Sequence, residues 1–201
     1  MKDTYKTIFK PSEEVLFKEK NSKFYGYAFP VSSEEEVKQY LEELKKKHHQ
    51  ARHWCYAWQL GKEDFQYRAN DDGEPSNSAG MPIYGQIQSF DVTEVLIVVV
   101  RYFGGIKLGV GGLIQAYKTT AQMALENSRI VKRTIDKVFQ VQFDYPEMNA
   151  VMRLIKEHNL KIVSQDLGID CKIVFKVRKK EADLIREKFE AFHKIEFSSV
   201  S

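Results

Sequence analysis

The sequence predicts an α+β protein of two domains, and three observations carry the prediction. The first two thirds hold hairpin signals, then a strongly apolar strand, a glycine-rich turn and an amphipathic helix. The last third reads β-α-β-β-α-β, the order of the split βαβ or ferredoxin-like plan. No internal repeat or low-complexity linker lies between the two patterns, which places the boundary near Lys132 to Thr134 and the domains at residues 1–133 and 134–201. A chain of 201 residues has room for two compact domains and excludes a large multidomain enzyme.

The N-terminal elements follow from local chemistry. Val15 to Lys20 and Lys23 to Val31 mix β-branched and aromatic residues around Asn21-Ser22, so the chain is expected to open with a hairpin. Ser33 and Glu36 have capping-box spacing, and Val37, Tyr40, Leu41 and Leu44 recur on one helical face as far as Lys45-Lys46-Lys47, whose charge suits a helix C-terminus. His53 to Leu60 and Phe65 to Arg68 read as a second hairpin. Asn70 to Pro82 is loop chemistry, with Pro82 in the first turn of a short helix through Gln88. Glu94 to Phe103 is expected to be a strand buried on both faces. Gly104 to Gly112 then leads into a helix that starts near Gly111 and presents Leu113, Ala116, Tyr117, Thr120, Ala121, Ala124 and Leu125.

In the last third, strands are expected at Lys137 to Tyr145, Leu160 to Gln165, Asp170 to Val177 and Lys194 to Val200, with helices at Pro146 to His158 and Lys179 to Phe192. Composition narrows the function classes. A net charge of +3 lacks the one-signed field of a histone-like protein, and the 43% hydrophobic content excludes global disorder. Cys55 and Cys171 are too isolated for a disulfide framework, so a reducing cytoplasmic setting fits best. No targeting signal or membrane-spanning run is read, the longest apolar stretch being Val95 to Val100.

Three constellations could carry chemistry. In Arg101-Tyr102-Phe103-Gly104-Gly105-Ile106-Lys107-Leu108-Gly109-Val110-Gly111-Gly112, backbone N–H groups at a helix start, with Arg101 and Lys107 beside them, fit an anion such as phosphate. The glycines fit a tight crossover against a packed sheet equally well. The segment is neither a Walker A loop nor a dinucleotide fingerprint, since Ile114 stands where the third glycine would be. In the loop of Asp71, Asp72, Glu74 and Ser76, three acids within four residues could hold Mg²⁺ or serve as a base, although a turn with Ser76 or Ser78 capping the next helix is the favoured reading. His48, His49, His53 and Cys55 offer nitrogen and sulfur donors, yet strand alternation aligns only His53 with Cys55, and ordinary strand positions are the favoured reading. No metal set, cofactor or catalytic residue is assigned.

The glycine segment, the run Asp71-Asp72-Gly73-Glu74-Pro75-Ser76 and His53 with Cys55 and Ala57 resemble the signature of the IMPACT/YigZ family, from about Ser22 to Asn127. Where that family's acidic loop usually continues Ser-Gly-Thr-Ala-Gly, this chain has Ser76-Asn77-Ser78-Ala79-Gly80, and Asn also tolerates a left-handed backbone. The resemblance implies a bacterial-type two-domain member: an N-terminal α/β domain like the second domain of a small-subunit ribosomal protein, and a ferredoxin-like C-terminal domain like those closing translocating elongation factors. It also implies work in translation. The stress-kinase role of eukaryotic members, which rests on an additional interaction domain, is not carried over.

Two functions follow as expectations. The first is a translation-associated regulatory module that meets RNA, the ribosome or a translation factor through Arg101, Tyr102, Gly104, Gly105, Lys107, Gly109, Gly111, Gly112 and Tyr117, with His53, Asp71, Asp72, Glu74 and Ser76 as a second loop of the site. The second, by fold analogy, is a Mg²⁺-dependent nucleotide or phosphoester enzyme using both loops.

Overall fold

The apolar run that dominates the sequence becomes the middle strand of the larger sheet. In the computed structural model, which describes residues 3–168 and 170–200, the elements run β1 (Thr4–Ile8), β2 (Val15–Glu19), β3 (Ser22–Pro30), α1 (Glu34–Lys47), β4 (His53–Leu60), β5 (Gln66–Asn70), α2 (Gly80–Ser89), β6 (Val95–Tyr102) and α3 (Gly109–Glu126). They continue with β7 (Ile130–Thr134), β8 (Asp136–Asp144), α4 (Met148–Glu157), β9 (Lys161–Leu167), β10 (Asp170–Arg178), α5 (Ala182–Glu190) and β11 (Ile195–Val200). The chain divides into two compact units, one of Tyr5–Arg133 and another formed by the chain from Thr134 on together with Asp3 and Thr4.

The first unit is built on a five-stranded sheet, β2-β3-β6-β4-β5, antiparallel throughout. Alternation on β6 explains why six consecutive apolar residues are all buried. Val95, Ile97 and Val99 pack with Ile83 and Ile87 of α2 and Leu113, Tyr117 and Ala121 of α3. Leu96, Val98 and Val100 pack on the other face with Tyr27, Phe29, Trp58 and the α1 residues Val37 and Leu44. Each such side chain contributes about 1.5–3 kcal/mol relative to exposure, which makes this strand the anchor of whatever its ends carry.

Local signals place the edges. Lys20 and Asn21 take φ +43° and +65°, the paired left-handed turn that joins β2 to β3. Ser33 caps α1, its Oγ accepting from Glu36 N at 3.3 Å, while the Glu36 carboxylate accepts from Ser32 N rather than from Ser33 as a strict capping box requires. The chain does not open with the hairpin: β1 precedes it and pairs with β7 in a two-stranded ribbon. Both strands are five residues long, and β7 is half-buried or exposed throughout, too short and mixed for periodicity to register. Helix α3 also begins earlier than its apolar face suggests, at Gly109, so Val110, Gly111 and Gly112 form its first turn.

The second unit has sheet order β11-β8-β10-β9, all antiparallel, with α4 and α5 on one face. Val151, Leu154 and Ile155 of α4 and Ile185 and Phe189 of α5 bury against Phe139, Val141, Phe143, Ile173, Phe175 and Val177. That is the ferredoxin-like arrangement the element order predicts. Asp3 belongs to this unit, accepting from Arg178 Nε at 2.6 Å and, through its carbonyl, from Ile135 N at 2.8 Å.

Candidate docking site at the glycine segment

The acidic loop between β5 and α2 is held by its own carboxylates. Asp71 Oδ1 accepts from Ala79 N at 3.0 Å and Gly80 N at 2.8 Å, and its Oδ2 accepts from Asn77 N at 2.8 Å. Asp71, not Ser76 or Ser78, therefore caps α2: Ser76 is exposed, and the Ser78 hydroxyl is turned back onto the Pro75 carbonyl at 2.6 Å. Asp72 accepts from Trp54 N at 2.7 Å through Oδ2, and its carbonyl accepts from His53 Nδ1 at 2.8 Å. That bond fixes the proton of a neutral His53 on Nδ1. Asn77 takes φ +61°, the left-handed backbone its side chain tolerates.

Glu74 reaches across to the end of β6. Its Oε1 lies 2.7 Å from Arg101 Nη1 and 2.8 Å from Tyr117 Oη, with both side chains of the ion pair nearly fully buried. The guanidinium also sits over the rings of Phe24 and Phe103. Arg101 is held inside the fold by Glu74, although its buried Nε has no hydrogen-bond partner among the described residues and its side chain forms part of a cleft wall, and Tyr117, 0% exposed, offers no stacking surface. Burial pushes the Tyr117 phenol up, so it remains a hydroxyl donor to Glu74 at every ordinary pH. Both residues link the acidic loop, β6 and α3, and Tyr117 is thereby corrected from a surface contact to a buried one.

Tyr102 is corrected as well. Strand alternation turns it to the α1 side, where its hydroxyl lies 3.0 Å from His48 Nδ1 and its ring packs edge-on against Tyr25. His48 lies in that aromatic layer, with Tyr27 Oη and Glu14 beyond its Nε2. Cys55 is on the opposite face, fully buried, with Sγ 2.9 Å from the Asp71 carbonyl. Burial pushes its thiol up, away from nucleophilic or metal-binding thiolate. Among the described residues no group of three His, Cys, Asp or Glu side chains is placed to hold a metal ion.

What remains at the surface is the glycine segment. Gly104 fits where no side chain could, since a Cβ there would strike the backbone of Asn21 and Ser22, and its N–H is held by Ser22 Oγ at 3.1 Å. Gly105 and Gly109 take φ +87° and +72°, which favours glycine. Gly111 has neither reason: a Cβ on it would meet nothing within 4 Å, and it sits in the first turn of a helix, where glycine is a poorer helix former than alanine. Around these bare positions Phe103, Ile106, Val110 and Ile114 are large exposed apolar side chains, and Lys107 is the exposed cation of the segment. The α3 N-terminus has no side-chain cap and no acid in its first turn, so its N–H groups stay available to a partner. A cleft of about 360 Å³ joins the two loops, its walls including Glu74, Pro75, Phe103, Lys107, Val110 and Leu113. The apolar residues were the signal sequence reasoning passed over: Phe103, Ile106 and Val110 alternate with glycines in a stretch where a solvated loop would be polar.

A two-unit α+β protein with one antiparallel unit carrying a glycine signature at a strand-to-helix turn, and a second of ferredoxin-like order, is the class this geometry defines. The comparisons with known proteins agree. Residues 20–125 match the Impact N-terminal domain. The IMPACT family member YvyE of Bacillus subtilis is 32% identical over 187 residues, covering 93% of this chain and 86% of that protein, and YigZ of Escherichia coli is 34% identical over 73% of each. The chain belongs to the IMPACT family. A crystal structure of a hypothetical protein matches over 100% of this chain and 99% of that one, with TM-score 0.76 and 26% identity. The two-domain translational regulator Yih1 matches over 59% of this chain and 46% of its own, with TM-score 0.36 and 25% identity. Among the described residues no helix is long and apolar enough to cross a membrane.

Proposed function

We propose that this chain is a translation-associated regulatory protein that docks on the ribosome, its RNA or a factor bound to it through the glycine segment, in the cytoplasm. Membership of the IMPACT family supports the translation setting. The observation that carries the site is the clustering of Gly105, Gly109 and Gly111, where an added Cβ would meet open space, beside exposed apolar side chains, as expected where a partner's surface approaches closely. The neighbouring Phe103, Ile106 and Val110 supply the apolar contact, with Lys107 and the uncapped α3 N-terminus for a phosphate or carboxylate.

The reading as a Mg²⁺-dependent phosphoester enzyme draws less support, because Asp71, Asp72 and Glu74 each already hold protein donors. We propose further that the boundary between residues 133 and 134 separates two independent domains, with Asp3 and Thr4 packing with the second rather than the first. The test of the function is co-sedimentation of the full chain with ribosomes, with and without RNase, over a salt series. Association that survives RNase points to a protein face of the ribosome, and association lost to RNase and falling steeply with salt points to RNA. No ribosome association under any of these conditions would overturn the reading.

A further inference from the structure

We propose that the C-terminal unit carries a phosphate-binding site of its own, held by Lys161 and Lys176. The proposal is independent of the glycine segment. Lys161 begins the edge strand β9 and Lys176 stands directly opposite on β10, both exposed. Residues so opposed point to the same face with Cβ atoms about 4.5–5.5 Å apart, and like charges there are destabilising. Of the other cations along this face of β10, Lys172 stands opposite Asp166, and Arg178 donates to Asp3. Lys161 and Lys176 have only each other, with no ion pair to either among the described residues.

A lysine on an edge strand also deters pairing with another sheet, but that role needs Lys161 alone, since β10 lies inside the sheet between β8 and β9. A cavity of about 340 Å³ opens at the pair, with His158 and Asn159 from the turn after α4 on one side. Its two carboxylates are engaged elsewhere: Asp136 accepts from Thr134 Oγ1 at 3.0 Å, and Glu181 lies 3.9 Å from Lys180 Nζ. Neither carboxylate forms an ion pair with Lys161 or Lys176 among the described residues, and Arg178 adds a third cation to the lining. A phosphate dianion bridging the two ammonium groups would turn the repulsion into charge-assisted hydrogen bonding. The group can be a free phosphate compound or the backbone of RNA.

The test titrates the full chain at low salt with sodium pyrophosphate by calorimetry and with a labelled single-stranded RNA by fluorescence anisotropy. Wild type binds pyrophosphate. Lys176→Glu weakens that binding by about tenfold or more and raises the melting temperature, because an ion pair replaces a repulsion. Lys161→Gln also weakens binding without reversing a charge, and Lys172→Ala, on the same strand and face, binds as wild type. RNA displaced by pyrophosphate identifies a nucleic acid as the source, and pyrophosphate binding without RNA binding identifies a free phosphate compound. Absence of pyrophosphate binding in wild type, or equal binding by wild type, Lys176→Glu and Lys161→Gln, would overturn the proposal.

Discussion

The acidic loop and the glycine segment face each other across one cleft, and they spend their polar groups in opposite ways. In the acidic loop Asp71, Asp72 and Glu74 are all taken: by the start of α2, by β4, and by Arg101 with Tyr117. In the glycine segment Gly104 is fixed by packing and Gly112 sits close against Leu108, while Gly105, Gly109 and Gly111 face open space and the helix start is uncapped. Density of charge is thus a poor guide to function here. The charged loop is taken up within the fold, and the nearly uncharged segment is the surface that the proposed function gives to a partner.

The largest expected effect attacks the scaffold half of that comparison. Glu74→Ala leaves Arg101 buried without its counter-charge, and chemical denaturation should show a loss of about 3–5 kcal/mol. A loss under about 1 kcal/mol would mean that the pair is hydrated and that Arg101 is free to meet a ligand. Asp71→Ala removes the acceptor for three backbone N–H groups and should cost about 1–2 kcal/mol by the same measurement. Mg²⁺ or Mn²⁺ should leave the melting temperature unchanged, since binding would have to break those bonds; a saturable rise in wild type, absent in Asp72→Asn, would return the loop to a metal site. Smallest of all, Lys107→Ala should leave stability within about 0.5 kcal/mol and flatten the salt dependence of any RNA association by about one unit.

Much of the fold is legible because periodicity and caps are local. Val95 to Val100 announced a strand covered on both faces, Ser33 announced a helix start, and the element order of the last third announced its sheet. The ribbon of β1 and β7 was not legible, since two strands of only five residues, one of them largely exposed, leave no periodic signature. The site was legible in its segments but not in its partners. Nothing near Arg101 in sequence says that its carboxylate comes from Glu74, 27 residues earlier; strand alternation parts Arg101 and Tyr102 to opposite faces, but only the fold decides what each face meets. Helix α3 absorbs three glycines because Leu113, Ala116, Tyr117 and Ala121 bury one continuous face, a tertiary gain that outweighs their poor propensity.

The most direct test of this division is Gly111→Gln, measured twice on the same protein. An added Cβ meets nothing within 4 Å on α3, and glutamine is the better helix former, so stability should rise by up to about 0.5 kcal/mol. Ribosome co-sedimentation of the stabilised variant should nevertheless fall well below wild type, because the added side chain stands where the partner must approach. A variant that is more stable and sediments with ribosomes as fully as wild type would contradict the assignment of the glycine segment as the docking surface.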